Sequence, residues 1–132
     1  MASEARRVRV IAGLVACCCF AFACGRGAGD LAVTWTIEPT PPVTGAATLV
    51  RVALTHADGK PGGGAKLRVE AHMTHPGMAP LIGEATERSR GIYEARLHLS
   101  MAGTWVLVAS GELADGRRIV KQTEVTAVQP PG

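Results

Sequence analysis
Hydrophobic and polar positions alternate with period two along most of residues 31–128. In Leu31-Ala32-Val33-Thr34-Trp35-Thr36-Ile37-Glu38, the residues Leu31, Val33, Trp35 and Ile37 share one face. Period two over a run of this length predicts a half-buried strand. Pro39, Pro41 and Pro42 end it, because proline has no N–H for a ladder. A second strand is predicted from Ala46 to His56, with Val50, Val52 and Leu54 on one face. Asp58-Gly59 and Pro61-Gly62-Gly63-Gly64 then break the pattern. Lys66 to Met73 alternates again: Leu67, Val69, Ala71 and Met73 face in, and Lys66, Arg68, Glu70 and His72 face out.

Leu81 to Glu87 reads as a weaker edge strand, and Arg88-Ser89-Arg90-Gly91 turns the chain. Ile92 to Leu99 is a strong strand with Tyr93, Ala95, Leu97 and Leu99 inside. Thr104 to Gly111 holds Trp105-Val106-Leu107-Val108, the near-continuous apolar run of a central strand. Asp115-Gly116 is a hairpin signal, and Arg117 to Val128 closes the sheet. Seven short strands with regular turn signals and no helical period predict an all-β fold, an immunoglobulin-like sandwich of about seven antiparallel strands. Its core is expected to rest on Trp35, Trp105, Tyr93 and the Val/Leu set.

The N-terminus follows different rules. Arg6, Arg7 and Arg9 precede the uncharged run VIAGLVACCCFAFA at residues 10–23. That run is shorter than the ~20 residues a membrane-spanning helix needs. A basic start, a short apolar middle and small residues at the end describe a secretory signal. Cys24 follows Ala21-Phe22-Ala23 and precedes Gly25-Arg26-Gly27-Ala28-Gly29, which resembles a bacterial lipoprotein signal with an acylated cysteine and a flexible tether. Leu14-Val15-Ala16-Cys17 offers a competing cut that would leave Cys18, Cys19, Phe20 and Phe22 in the mature chain. The expected organisation is a signal over 1–24, a tether over 25–30, the sandwich over 31–128 and a tail over 129–132. The expected location is the outer side of a bacterial membrane, with a lipid on Cys24 as the contact to it.

Composition narrows the function classes. The formal net charge is +3, but Arg6, Arg7, Arg9 and Glu4 lie in the signal. Removing them from the 14 basic and 11 acidic residues leaves 11 and 10, a balance of +1. That is no electrostatic footprint for nucleic acid, and the few aromatics build no stacking platform. All four cysteines lie at or before residue 24, so the folded domain has no disulfide and no thiolate nucleophile. Ser89, Ser100 and Ser110 lack a Gly-x-Ser-x-Gly context, and Gly62-Gly63-Gly64 lacks the Lys-Ser/Thr of a phosphate loop. Glu84, Glu87 and Glu94 alternate with basic residues as a solvated face does. The chain is therefore expected not to be an enzyme.

Chemistry concentrates in His72-Met73-Thr74-His75-Pro76-Gly77-Met78, two imidazoles and two thioethers where a strand runs into a Pro-Gly turn. Thioether sulfur suits Cu(I), and imidazole suits Cu(I), Cu(II) and Zn. The candidate metal ligands are His72, His75, Met78 and Met73. Strand parity puts the loops at 39–45, 73–80 and 100–103 at one end and those at 57–65 and 88–91 at the other. His98 and Met101 then share an end with the segment, and His56 does not. By alternation Met73 and Met101 point into the core and His98 points out, so a loop that simply packs over the sandwich end is the competing reading.

Residues 67–110 read LRVEAHMTHPGMAPLIGEATERSRGIYEARLHLSMAGTWVLVAS. The Met/His loop after a strand, Gly91-Ile92-Tyr93 opening the next long strand, and Met101-Ala102-Gly103-Thr104-Trp105 leading into a central one resemble the YtkA-like/FixH-like group of extracytoplasmic β-sandwich domains. The resemblance implies a setting in copper handling and respiratory oxidase assembly, with copper as the cofactor and a protein of that machinery as partner. FixH-like members carry a membrane-spanning helix, which the short apolar run here does not match. The alternative function is a tethered interaction domain that binds a protein through its sheet edges or loops and holds no metal.

Overall fold
The computed structural model describes residues 31–132, so the expected signal, the expected tether and both candidate lipidation cysteines lie outside the described residues. Among the described residues there is no helix, and the chain forms eight strands. These are β1 (Leu31–Glu38), β2 (Ala47–His56), β3 (Lys66–Met73), β4 (Leu81–Glu84), β5 (Thr86–Ser89), β6 (Ile92–His98), β7 (Gly103–Glu112) and β8 (Arg118–Ala127). They make two antiparallel sheets, ordered β1-β2-β6-β5 and β4-β3-β7-β8, which enclose one core. This is the all-β sandwich that alternation predicts, with β3 beginning and ending on the expected residues.

The eighth strand comes from a segment expected to be one. Residues 81–84 pair with β3 in the second sheet, and residues 86–89 pair with β6 in the first. Ala85 makes the crossing, its N–H donating to the Leu67 carbonyl at 3.1 Å. Gly83 lets the crossing run close to the other layer. A Cβ there would lie 3.0 Å from the Arg96 carbonyl oxygen and 3.0 Å from Leu97 Cδ2. A glycine inside a strand often marks such a close approach. One side of the sandwich is thereby closed by the chain itself.

The other side, between β1 and β8, has no crossing strand. It is pinned at one end by Thr44 N–H to the Val128 carbonyl and Val128 N–H to the Pro42 carbonyl, both 2.9 Å. Trp35, Ile37 and Val125 line a cleft there together with Pro41 and Pro42. Trp35 is consequently half-buried and packs against the core from its margin, where the alternation had suggested a full core position. The buried aromatics are Trp105 and Tyr93, each 0% exposed. The Tyr93 hydroxyl donates to the Gly62 carbonyl at 2.7 Å and accepts from Ala65 N–H at 2.9 Å, which ties the Gly-rich turn to β6.

Of the three carboxylates expected on a solvated face, Glu84 and Glu87 are exposed, while Glu87 and Glu94 also make contacts that tie the fold together. Glu94 is held by Arg51 at 3.1 Å and by Arg88 at 3.6 Å. Glu87 accepts from Gly91 N–H at 3.0 Å and from Gly64 N–H at 3.2 Å, clamping two turns at the end far from the Met/His loop. The Gly91 N–H above all holds the Glu87 carboxyl below its ordinary value of 4.5. A depressed carboxylate contributes stability that is present above its unfolded pKa and is lost as pH falls through the folded one. Glu87→Gln is therefore expected to flatten the acid-side decline in urea midpoint below pH 4.5. Equal declines in the two proteins would contradict this role.

Candidate metal-binding end of the sandwich
The loops at 39–46, 74–80 and 99–102 meet at one end, as strand parity predicts. Gly45 N–H donates to the Leu99 carbonyl at 3.2 Å, and Thr74 N–H to the Thr104 carbonyl at 3.4 Å. Trp105 Nε1–H donates to the Met101 carbonyl at 3.0 Å. His56 ends β2 at the opposite end, where its N–H donates to the Lys60 carbonyl and its ring shares a small recess with Leu113 and Asp115.

The candidate ligands divide by face. β3 stops at Met73, and Pro76-Gly77 then turns the chain, with Gly77 at φ 84. Positive φ is open to glycine without a steric cost. Residues 74–80 are all exposed, including His75, with Met78 at 41%. Met73 is 8% exposed and faces the core beside Trp105, its cross-strand partner. Its methyl fills the space that Gly103 leaves, since a Cβ on Gly103 would lie 3.1 Å from Met73 Cε. Met73 is thus committed to packing, whereas His72, His75 and Met78 reach solvent.

Met101 differs from its expected inward position and is 43% exposed. Alternation puts Met101 inside only if it continues past Leu99, but β7 begins at Gly103 and the bend before it resets the parity. Met101 therefore adds a thioether to the solvent-facing end. His98 lies on the outer face of the first sheet and His72 on the outer face of the second. Sheets pack about 10 Å apart, so these two rings point away from each other across the sandwich. His98 shares the end without joining His72.

His72 has a partner that the sequence reading missed. Its Nε2 lies 2.9 Å from Glu70 Oε2, and Glu70 Oε1 lies 2.9 Å from Arg68 Nη2. The available signal was the spacing itself, because positions i, i+2 and i+4 line one face of a strand. Among the described residues no three of His, Cys, Asp and Glu gather to hold an ion. An ion at this end would have to draw on thioether sulfur as well as imidazole, and that donor set fits Cu(I).

Comparison with known proteins places the chain in a family. No curated protein matches the chain. Similar solved structures include an engineered protein from the Northeast Structural Genomics Consortium, at 19% identity and a TM-score of 0.49 over 74% of this chain. The chain spans 20% of that protein's length. Another is the cohesin module of a Clostridium perfringens family 33 glycoside hydrolase, at 11% identity and a TM-score of 0.42, covering 76% of this chain and 98% of the module. The family model described as YtkA-like matches residues 27–109, from just before β1 to Ala109 in β7. That match covers more than half of the 132 residues and takes in the whole Met/His segment, so the chain belongs to the YtkA-like family.

Proposed function
We propose that this protein is a membrane-tethered extracytoplasmic module that binds Cu(I) and passes it to a protein partner in copper handling or respiratory oxidase assembly. The observation that carries the reading is the Met/His turn itself. His75 and Met78 stand exposed on a loop that the core does not use, with His72 and Met101 at the same end. His75, Met78 and His72 would hold the ion. Bound Cu(I) would supply a soft, exchangeable centre suited to transfer between thioether sites. The loop that carries His75 and Met78 stands on a frame of strands, and nothing in this reading requires turnover of a substrate.

The test is competition for Cu(I) with a chelator under reducing conditions. The protein is expected to withdraw the ion, and failure to withdraw it would overturn the reading. The tether makes a separate prediction. Cys24→Ser is expected to abolish acylation and release or stall the precursor. Intact-mass analysis of the mature protein checks it, and an N-terminus at Cys17 or an absent lipid mass would contradict it.

A second reading has its own support. The open side between β1 and β8 leaves Trp35 and Ile37 half-buried in a cleft beside Pro41 and Pro42. A tethered domain that binds a protein there would need no metal.

A further inference from the structure
We infer that Glu70 positions His72 for the ion, fixing the ring with its proton on Nε2 and leaving the Nδ1 lone pair as the donor. This rests on the Cu(I) reading and adds to it a residue that sets which nitrogen binds. Glu70 and His72 stand two residues apart on the outer face of β3, and their side chains meet at 2.9 Å. An ionised carboxylate only accepts, so the ring nitrogen that touches it must be the donor. Neutral imidazole has one donor and one acceptor nitrogen, and a proton held on Nε2 leaves Nδ1 free to bind a metal.

Glu70 is itself fixed. Its other oxygen is 2.9 Å from Arg68 Nη2, and its cross-strand neighbours on the outer face are Ile82 of β4 and Val108 of β7. Its side chain is 18% exposed, against 53% for Arg68 and 44% for His72. The least exposed member of the row thus holds the more exposed ring, as expected of a group that orients a ligand rather than one that binds the ion. Carboxylates placed this way behind ligand histidines orient the ring and raise its basicity.

The test uses the ring nitrogen-15 shifts of His72 in the metal-free protein, together with Cu(I) competition, for wild type, Glu70→Ala and Glu70→Gln. In wild type His72 is expected to carry its proton on Nε2. Glu70→Ala should lose that preference and weaken Cu(I) binding by about 10–100-fold, the usual effect of removing such a partner. Glu70→Gln should retain both largely, because its amide oxygen still accepts from Nε2–H. A wild-type ring protonated on Nδ1, or a Glu70→Ala protein that binds as tightly as wild type, would overturn the role of Glu70 alone. A wild type with the Nε2 proton in place that binds no Cu(I) would overturn the copper reading, and the metal role of Glu70 with it.

Discussion
Replacing Trp105 with alanine is expected to cost about 3–5 kcal/mol of folding stability, the range for a buried large aromatic. Trp105 is 0% exposed on β7, which is flanked in its sheet by β3 and β8. Its register partners are Met73 and Val125, so a cavity would open where the two sheets face each other below the Met/His loop. The indole also donates to the Met101 carbonyl, a bond that fixes the turn before β7. That bond is part-buried, and the cavity should dominate the cost. A domain of this size has a total stability of about 5–15 kcal/mol, so the variant should lose a large share of it. Urea unfolding checks this as a fall in midpoint at unchanged slope. The same change at half-buried Trp35 should cost clearly less. Equal costs at the two tryptophans would contradict the placement of the core.

Replacing His75 and Met78 together with alanine is expected to abolish Cu(I) binding while changing stability by no more than about 0.5 kcal/mol, as for surface sites in general. Neither residue faces the core, and the turn between them is set by Pro76 and by Gly77 at positive φ, both of which remain. What is removed is one imidazole and the exposed thioether of the loop. His72 alone, tied to Glu70 at 2.9 Å, leaves a single committed donor. Met73 does not make up the loss, because drawing its sulfur outward would empty the space beside Gly103 that its methyl fills. Met101 is the nearest substitute by exposure, and residual weak binding in the double variant would identify it as a ligand.

The frame was legible in the sequence wherever one side of a strand is buried. Period two located β1 and β3 to the residue, since a slip by one would expose Leu67, Val69 and Ala71 together. It could not separate β4 from β5. A strand that crosses between sheets keeps its extended backbone and its polarity pattern, and only Gly83 hints at the close approach. Alternation also reports the face of a side chain rather than its depth. Trp35 faces inward as expected but sits on an edge strand, beside an opening that only the sheet order reveals. Met101 was misplaced because parity does not survive a bend. The Met/His segment stood out by composition alone, and its exposure follows from the Pro-Gly turn. The Glu70–His72 pair was within reach of the i, i+2 rule, whereas the contacts of Glu87 to Gly64 and Gly91 join turns that only the folded chain brings together.

Competition for Cu(I) among three proteins tests the central claim most directly: wild type, the His75/Met78 double alanine variant and His56→Ala. Wild type and His56→Ala should each withdraw a single ion per chain from the chelator with equal affinity, since His56 lies at the opposite end beside Asp115. The double variant should withdraw none while keeping the wild-type urea midpoint. Equally poor competition by all three would contradict copper binding at this loop, and the interaction-domain reading built on the β1–β8 cleft would then stand in its place.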